Sequence, residues 1–156
     1  MNWMVAGITT RPATLADLDT VAALFDAYRQ FYKQAPDLAL ARRYIRERFE
    51  RNESVLFVAV TEAKTVAGFC QLYPTFCSVR AAPTYVLYDL FVSPEARGTG
   101  AGRALMLAAE AHAASTGAAR MELSTARSNT VAQSLYESLG WVRDEAFLVY
   151  SKTFRG

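Results

Sequence analysis

Thiols and imidazoles are scarce in this chain of 156 residues: Cys70, Cys77 and His112 are all it carries. Structural and catalytic metal sites draw several Cys, His or carboxylate ligands at regular spacings, and a Ser-His-Asp triad needs a histidine as its base. With no Cys/His cluster the expectation is that no metal is bound and no triad operates. His112 falls in an alanine-rich stretch and is expected at the surface. Cys70 and Cys77 read as free thiols in core or loop, since a reducing compartment gives them no reason to pair. No apolar run is long enough to cross a bilayer, so no membrane is expected as partner. The segment from Met1 to Gly7 has neither a basic region nor a long apolar stretch, and so does not read as a secretory leader; a cytoplasmic location is expected. The net charge of +2 is too small to call for nucleic acid. Proline and glycine are few and unclustered, apart from one place, and no repeat or linker divides the chain. One domain over residues 1–156 is expected, long enough to bury roughly two thirds of its unfolded surface. Its 52% apolar and 21% charged composition is that of an ordinary globular protein.

The one cluster of glycines follows a strand. Leu90-Phe91-Val92-Ser93-Pro94-Glu95-Ala96-Arg97-Gly98-Thr99-Gly100-Ala101-Gly102-Arg103-Ala104-Leu105 reads as a strand, a turn with glycines at alternate positions, and the first turn of an apolar helix. Without Cβ atoms in the way, successive N–H groups can approach an anion, and the helix that begins there adds the positive end of its dipole. The segment has the features of a pyrophosphate cradle. An ordinary glycine-rich connection is the alternative, but it needs neither three glycines nor the arginines Arg97 and Arg103 flanking them. A dinucleotide Gly-x-Gly-x-x-Gly turn is excluded because position 103 is Arg, five residues separate strand from glycines, and no leading βαβ unit opens the chain. A P-loop is excluded as well, because Gly102-Arg103-Ala104 stands where Gly-Lys-Ser/Thr is required.

Periodicity places the remaining elements. A strand near Ile8 to Arg11 precedes a capping box at Thr14 and Asp17, after which Leu18, Val21, Ala22, Phe25 and Tyr28 recur on one helical face. A second helix follows Pro36-Asp37, with Leu38, Ala41, Ile45 and Phe49 as a narrow apolar stripe. Its arginines Arg42, Arg43, Arg46, Arg48 and Arg51 could draw an acidic ligand, but Glu47 and Glu50 lie at ion-pair spacing and favour a solvated face. Val55 to Val60 and Thr65 to Tyr73 are strands expected to pair antiparallel, with Pro74 marking where the second begins to stop and a loop following over Ser78 to Pro83. Then come a strand from Tyr85 to Val92, a helix from Gly100 to Thr116, a strand from Arg120 to Thr125, and a helix from Ser128 or Asn129 to Gly140. Two last strands are expected at Trp141-Val142 and Phe147 to Lys152. Antiparallel pairs followed by a strand-helix-strand crossover predict an α/β (α+β) fold with a mixed, mostly antiparallel sheet of about six to seven strands and helices on both faces.

The residues resemble the GNAT superfamily of acyl-CoA-dependent N-acyltransferases. Arg97-Gly98-Thr99-Gly100-Ala101-Gly102 matches that family's Gln/Arg-x-x-Gly-x-Gly/Ala signature, and Asn129 to Trp141, Asn-Thr-Val-Ala-Gln-Ser-Leu-Tyr-Glu-Ser-Leu-Gly-Trp, resembles its Asn-x-x-Ala-x-x-Leu-Tyr-x-x-x-Gly-Phe/Trp helix. The resemblance implies acetyl-CoA or coenzyme A as co-substrate and a primary amine of a small molecule or peptide as acceptor, joined by direct attack on the thioester. It implies that the main chain at Phe91 and Val92 splays from a neighbouring strand to meet pantetheine and the thioester oxygen, as in an oxyanion hole. The amides of Gly98, Thr99, Gly100, Ala101, Gly102 and Arg103 would hold the pyrophosphate, with Arg97 and Arg103 adding charge; Arg103 could equally pair with Glu95 or face solvent. A homodimer is compatible with such a fold, although no residue pattern specifies one. Cys70 and Cys77 have no base beside them in sequence, which gives a covalent acyl-enzyme little support. A non-catalytic acyl-CoA-binding or regulatory module is the competing class.

Three side chains carry the expected chemistry. Tyr136 on residues alone would be a packed aromatic; with Asn129 and Gly140 in register, the resemblance makes it the general acid and a cofactor contact, its phenol being protonated at neutral pH. Asn129 caps its helix, contacts the cofactor, or does both. Asp89, expected on one strand face with Tyr85, Leu87 and Phe91, is the candidate general base, with Glu122 on the next strand as the other; either carboxylate could instead anchor a loop or an ion pair. Tyr28, Tyr32, Tyr73 and Tyr85 are candidates to line an amine pocket, against core packing as the default.

Overall fold

The structure, a computed structural model, describes Trp3–Val5 and residues 7–156; Met1, Asn2 and Ala6, part of the segment read for a leader, lie outside the described residues. It divides into two compact units, Met1–Ser124 and Thr125–Gly156.

In the first unit, β1 (Trp3–Val5), β2 (Ile8–Pro12), β3 (Val55–Val60), β4 (Val66–Cys77), β5 (Ala82–Val92) and β6 (Met121–Glu122) form one six-stranded sheet in chain order. Neighbours are antiparallel up to β5, and β6 joins parallel to it. A parallel neighbour needs a crossover, and α3 (Ala101–Ser115) supplies it. Between β2 and β3 the chain inserts α1 (Leu18–Phe31) and α2 (Leu38–Glu50). This is the mixed, mostly antiparallel sheet that the patterning predicts.

Side chains alternate across the sheet, and helices cover both faces. Leu56, Val58, Phe69 and Phe91 pack with Leu18, Val21 and Phe25 of α1 and with Ala41 and Ile45 of α2. On the opposite face the buried Cys70 thiol points to the Leu105 carbonyl of α3 at 3.8 Å. His112 of α3 meets the rings of Phe57 and Tyr85 at 5.7 and 5.6 Å. It is therefore half-buried rather than at the surface, and burial lowers its pKa. An alanine-rich helix can lie close to a sheet, so its one bulky polar residue is drawn against strand aromatics. Cys70 and Cys77 are both free, as expected.

The entry to α1 shows local sequence chemistry at work. Asp17 accepts the Thr14 N–H at 2.7 Å and the Thr14 hydroxyl at 3.1 Å, and takes both ends of the Arg11 guanidinium at 2.6 and 3.0 Å. The capping box opens a short 3-10 turn, Leu15–Asp17, which runs into the helix. The Arg11 guanidinium holds the Asp17 carboxyl below its usual pKa, with the Thr14 groups adding to the effect. Losing these partners at a nearly buried carboxylate costs about 1–3 kcal/mol, so Asp17→Ala is expected to lower unfolding free energy by that amount at pH 7. The depressed pKa means that this stabilisation is complete above the ordinary carboxylate range and fades as pH falls through the folded-state value. Urea unfolding of both proteins at pH 7 and in acid should show the gap closing; an equal gap at both would contradict the assignment.

Two predicted boundaries differ. β4 does not stop at Pro74 but runs on to Cys77, pairing with β5 from Ala82, so the predicted loop over Ser78 to Pro83 is shortened to residues 78–81 at the hairpin tip. β3 ends its pairing at Leu72, so beyond it β4 is an edge on that side and Pro74 needs to offer no donor there. The strand predicted over Arg120 to Thr125 is reduced to Met121–Glu122.

The second unit contains α4 (Thr130–Ser138), with the Asn129 side chain accepting the Ala132 N–H at 3.2 Å as its N-cap. Gly140 follows in the left-handed region at φ +88° and ends the helix. The strands expected at Trp141-Val142 and Phe147 to Lys152 do not form. An alternating apolar run becomes a strand only when a partner supplies the ladder, and within this unit no other segment is a strand that could do so.

Candidate active site

Asp89 sits in the middle of β5, 3% exposed. Its neighbour across the ladder is Gln71 of β4, whose side-chain amide donates to Asp89 Oδ2 at 2.6 Å. The Ser54 hydroxyl donates in turn to Gln71 Oε1 at 2.7 Å, which fixes the amide's orientation. Burial pushes the Asp89 pKa up to about 6, against the hydrogen bonds from Gln71 and Tyr28 that favour the charged form. The result is a carboxylate that is ionised at neutral pH and still basic enough to take a proton.

One residue earlier the ladder slips. Gln71 pairs with Asp89 but Leu72 pairs with Leu87, leaving Tyr88 as the extra residue of a β-bulge. The Tyr88 carbonyl receives the Tyr28 hydroxyl at 3.0 Å, and the Tyr88 ring meets Tyr73 edge-on at 5.6 Å. The bulge also reverses the alternation of β5. Tyr85 consequently faces α3 and His112, whereas Asp89 and Phe91 face α1. The expectation that Tyr85 and Asp89 share a strand face is corrected on this point.

Above Asp89 lies a cavity of about 440 Å³, walled by Phe25, Tyr28 and Arg29 of α1, Tyr32 and Gln34 just after it, Tyr44 of α2, Tyr73 of β4, residues 86–89 of β5, and Ser124. Helical spacing puts Phe25, Tyr28, Arg29 and Tyr32 on one side of the last turns of α1. The Tyr44 and Tyr73 hydroxyls share a hydrogen bond of 2.6 Å. Burial raises the pKa of Tyr28 and Tyr73 well beyond the ordinary phenol value, so both remain neutral and act only as hydrogen-bonding walls. Of the four tyrosines named from sequence, Tyr28, Tyr32 and Tyr73 line this cavity and Tyr85 does not. Glu122, the other candidate base, pairs with Arg120 at 2.6 Å and is exposed. Of the pairs that the α2 spacing implies, Arg46 with Glu50 forms at 3.2 Å, while Arg48 pairs instead with Glu47 at 3.4 Å and Glu53 at 3.1 Å.

At its far end β5 delivers the glycine turn. Gly98 and Gly100 both adopt left-handed backbone at φ +79° and +87°, and Gly100 is the N-cap of α3. A Cβ built on Gly98 would meet nothing within 4 Å, so the turn's face is open. Thr99 bonds back to the Ala96 carbonyl at 2.5 Å, while Arg97 donates to the Val92 carbonyl at 3.2 Å and lies over the Phe91 ring at 5.5 Å. An α-helix leaves its first N–H groups without intrahelical acceptors, and here the first two belong to Ala101 and Gly102. Beside the turn, the β5–β6 ladder stops at Val86 with Glu122, so among the described residues β5 from 87 to 92 has no strand partner on that side. Asp89, Phe91, Val92 and residues 97–103 thus follow one another along β5 and its exit. Asn129 and Tyr136 belong to α4, where the Tyr136 ring lies 6.3 Å from that of Trp141.

The sequence profile of the acetyltransferase (GNAT) family matches residues 21–141. The chain belongs to the GNAT family. This GNAT acetyltransferase is 44% identical over 140 residues to an uncharacterized N-acetyltransferase, YhfO, of Bacillus subtilis (strain 168), with 90% of this chain and 93% of that one covered. A crystal structure of a probable acetyltransferase, 36% identical, superposes with a TM-score of 0.89 over 94% of this chain and 98% of that chain. The aminoglycoside N-acetyltransferase AAC(6')-Iy, solved in complex with CoA, shares the fold at 19% identity and a TM-score of 0.78, over 93% of this chain and 94% of that one.

Sequence reasoning missed Gln71, Ser54, Tyr44 and Arg29. Gln71 left one trace, a lone amide inside the otherwise apolar run Val66-Ala67-Gly68-Phe69-Cys70-Gln71-Leu72. A polar side chain in a strand buried on both faces needs a partner.

Proposed function

We propose that this GNAT acetyltransferase transfers an acetyl group from acetyl-CoA to a primary amine of a small molecule or peptide in the cytoplasm, by direct attack and without an acyl-enzyme. The observation that carries the reading is Asp89: a buried carboxylate on the floor of an amine-sized cavity, on the strand that leads into the glycine turn.

The chain's residues fit the co-substrate. Left-handed Gly98 and Gly100, an open turn and the first N–H groups of α3 suit a diphosphate, with Thr99, Ala101, Gly102 and Arg103 contributing main chain and Arg97 and Arg103 contributing charge. The unpaired edge of β5 at Phe91 and Val92 would take the pantetheine amides. Acetyl-CoA supplies, when bound, an acetyl group activated as a thioester. Asp89 takes the proton that the amine nitrogen gives up as its N–C bond forms and the C–S bond breaks. Tyr136 holds a phenolic proton for the sulfur that departs, a role resting on the Asn129 to Trp141 motif, in which Asn129 also serves as a cofactor contact. Burial pushes the Cys70 thiol up to about 12, so it is not a nucleophile at neutral pH.

Release of free thiol from acetyl-CoA with a panel of primary amines tests the proposal; tight CoA binding with no thiol release for any amine would instead mark a binding module. Tyr136→Phe is expected to lower kcat by ~10²-fold or more, the contribution of one proton donor, with little change in acetyl-CoA affinity by calorimetry. Unchanged turnover would remove Tyr136 from the acid role.

A further inference from the structure

Four arginines in and around the helical layer have carboxylate partners. Arg11 pairs with Asp17, Arg42 with Asp19, Arg46 with Glu50, and Arg48 with Glu47 and Glu53. Arg29 differs. Its Nη1 is shut off from solvent and has no hydrogen-bond partner among the described residues, yet the side chain lines the cavity above Asp89. Guanidinium N–H groups in a folded protein are ordinarily satisfied, so an arginine on a cavity wall whose fork has no carboxylate partner is suited to take an acceptor oxygen presented from that cavity.

Arg29 and Asp89 are the two charged residues among those that wall the cavity. One is cationic, the other anionic, and the rest of the wall is aromatic, apolar or neutral polar. A ligand matching this wall carries one positive and one negative charge on an apolar body. A lone guanidinium in a cavity that also holds a carboxylate suits a monoanionic carboxylate better than a dianionic phosphate, which would meet one cation and a repelling Asp89.

We infer that the acceptor is an aminocarboxylate whose carboxylate is bound by Arg29 while its amino group faces Asp89. The inference rests on the acceptor entering this cavity, as proposed above, and adds the specificity-determining residue and the chemical class of the acceptor. The cavity volume of about 440 Å³ accommodates a molecule of amino-acid size with an aromatic or branched body. Its aromatic wall offers stacking to that body, and Tyr28 and Tyr73 offer neutral hydroxyls.

Matched pairs that differ only in the carboxylate provide the test. Thiol release is measured with L-phenylalanine against 2-phenylethylamine, and with 4-(aminomethyl)benzoate against benzylamine, so that two spans between amine and anion are sampled. The phosphonate analogue of phenylalanine forms a third arm. In the wild type the better carboxylate member is expected to exceed its partner in kcat/KM by roughly 10- to 100-fold, the worth of one charge-assisted contact. In Arg29→Met that ratio should fall to about 1, and Arg29→Lys should keep part of it, because lysine retains the charge without the fork. Reading a ratio cancels any general loss from the substitution. Equal turnover of both members by the wild type, or an unchanged ratio in Arg29→Met, overturns the inference while leaving amine acetylation standing; a preference for the phosphonate overturns the carboxylate assignment. Should no amine release thiol, the transfer reading fails by itself. Calorimetric titration of the same pairs then decides the anion site: tighter binding of the carboxylate member by wild type and not by Arg29→Met supports it, and any other pattern overturns it.

Discussion

Asp89→Asn is expected to lower kcat/KM at pH 8 by ~10²- to 10⁴-fold, the range for removal of a positioned general base. Asparagine keeps the shape and can still accept from Gln71, so geometry at β5 changes little while the basic oxygen is lost. In the wild type, kcat/KM should fall tenfold per pH unit below about 6, where Asp89 takes up a proton, and level off above it. The groups around it do not confuse that limb: Tyr28 and Tyr73 have raised pKa values and stay neutral, as does Cys70 beneath the strand. In Asp89→Asn the limb should vanish along with the activity. Stability should move the other way. A folded-state pKa above the ordinary value means that the folded protein binds the extra proton, so ionised Asp89 weakens the fold above about pH 6 and that cost disappears toward acid. The difference from the ordinary value corresponds to on the order of 3 kcal/mol. Asp89→Asn should therefore unfold at the same urea concentration as wild type, or a higher one, at pH 8. Full activity in a folded variant would show that Asp89 is not the base.

Gly100→Arg is expected to abolish measurable coenzyme A binding in a protein that still folds. Gly100 occupies the left-handed region at φ +87° as the N-cap of α3, where a side chain is strained and sits next to the first turn of the helix. Losing about two charge-assisted hydrogen bonds to a diphosphate, at ~1.5–3 kcal/mol each, weakens binding by ~10²- to 10⁴-fold. Strain of about 1–2 kcal/mol at one residue is less than a domain's usual stability, so the far-ultraviolet circular dichroism should match the wild type. Coenzyme A titrated into this variant with wild-type affinity would mean that the diphosphate is held elsewhere.

Local rules carried much of the fold. The Thr14 and Asp17 box, the helix after Pro36-Asp37, the Gly98-Thr99-Gly100 turn and the stripe Leu18, Val21, Phe25 all appear as their spacing requires, because capping, backbone freedom and helical periodicity act over a few residues. Errors arose where a remote partner decides. Pro74 stays within a strand because β3 has already ended beside it, and Phe147 to Lys152 stays out of one for want of a ladder. His112 is drawn inward by Phe57 and Tyr85, residues far from it in sequence.

The order of residues alone determined the family, the glycine turn ahead of α3 and the presence of a carboxylate on β5, since each is written in contiguous positions whose chemistry is local. Tertiary structure alone decided what that carboxylate can do. A bulge at Tyr88 turned Asp89 away from Tyr85, the Ser54–Gln71 relay fixed its partner, and the last turns of α1 brought Arg29 to the wall of the same cavity. Burial and register depend on which surfaces meet, and electrostatics follows burial; none of these can be counted along a chain.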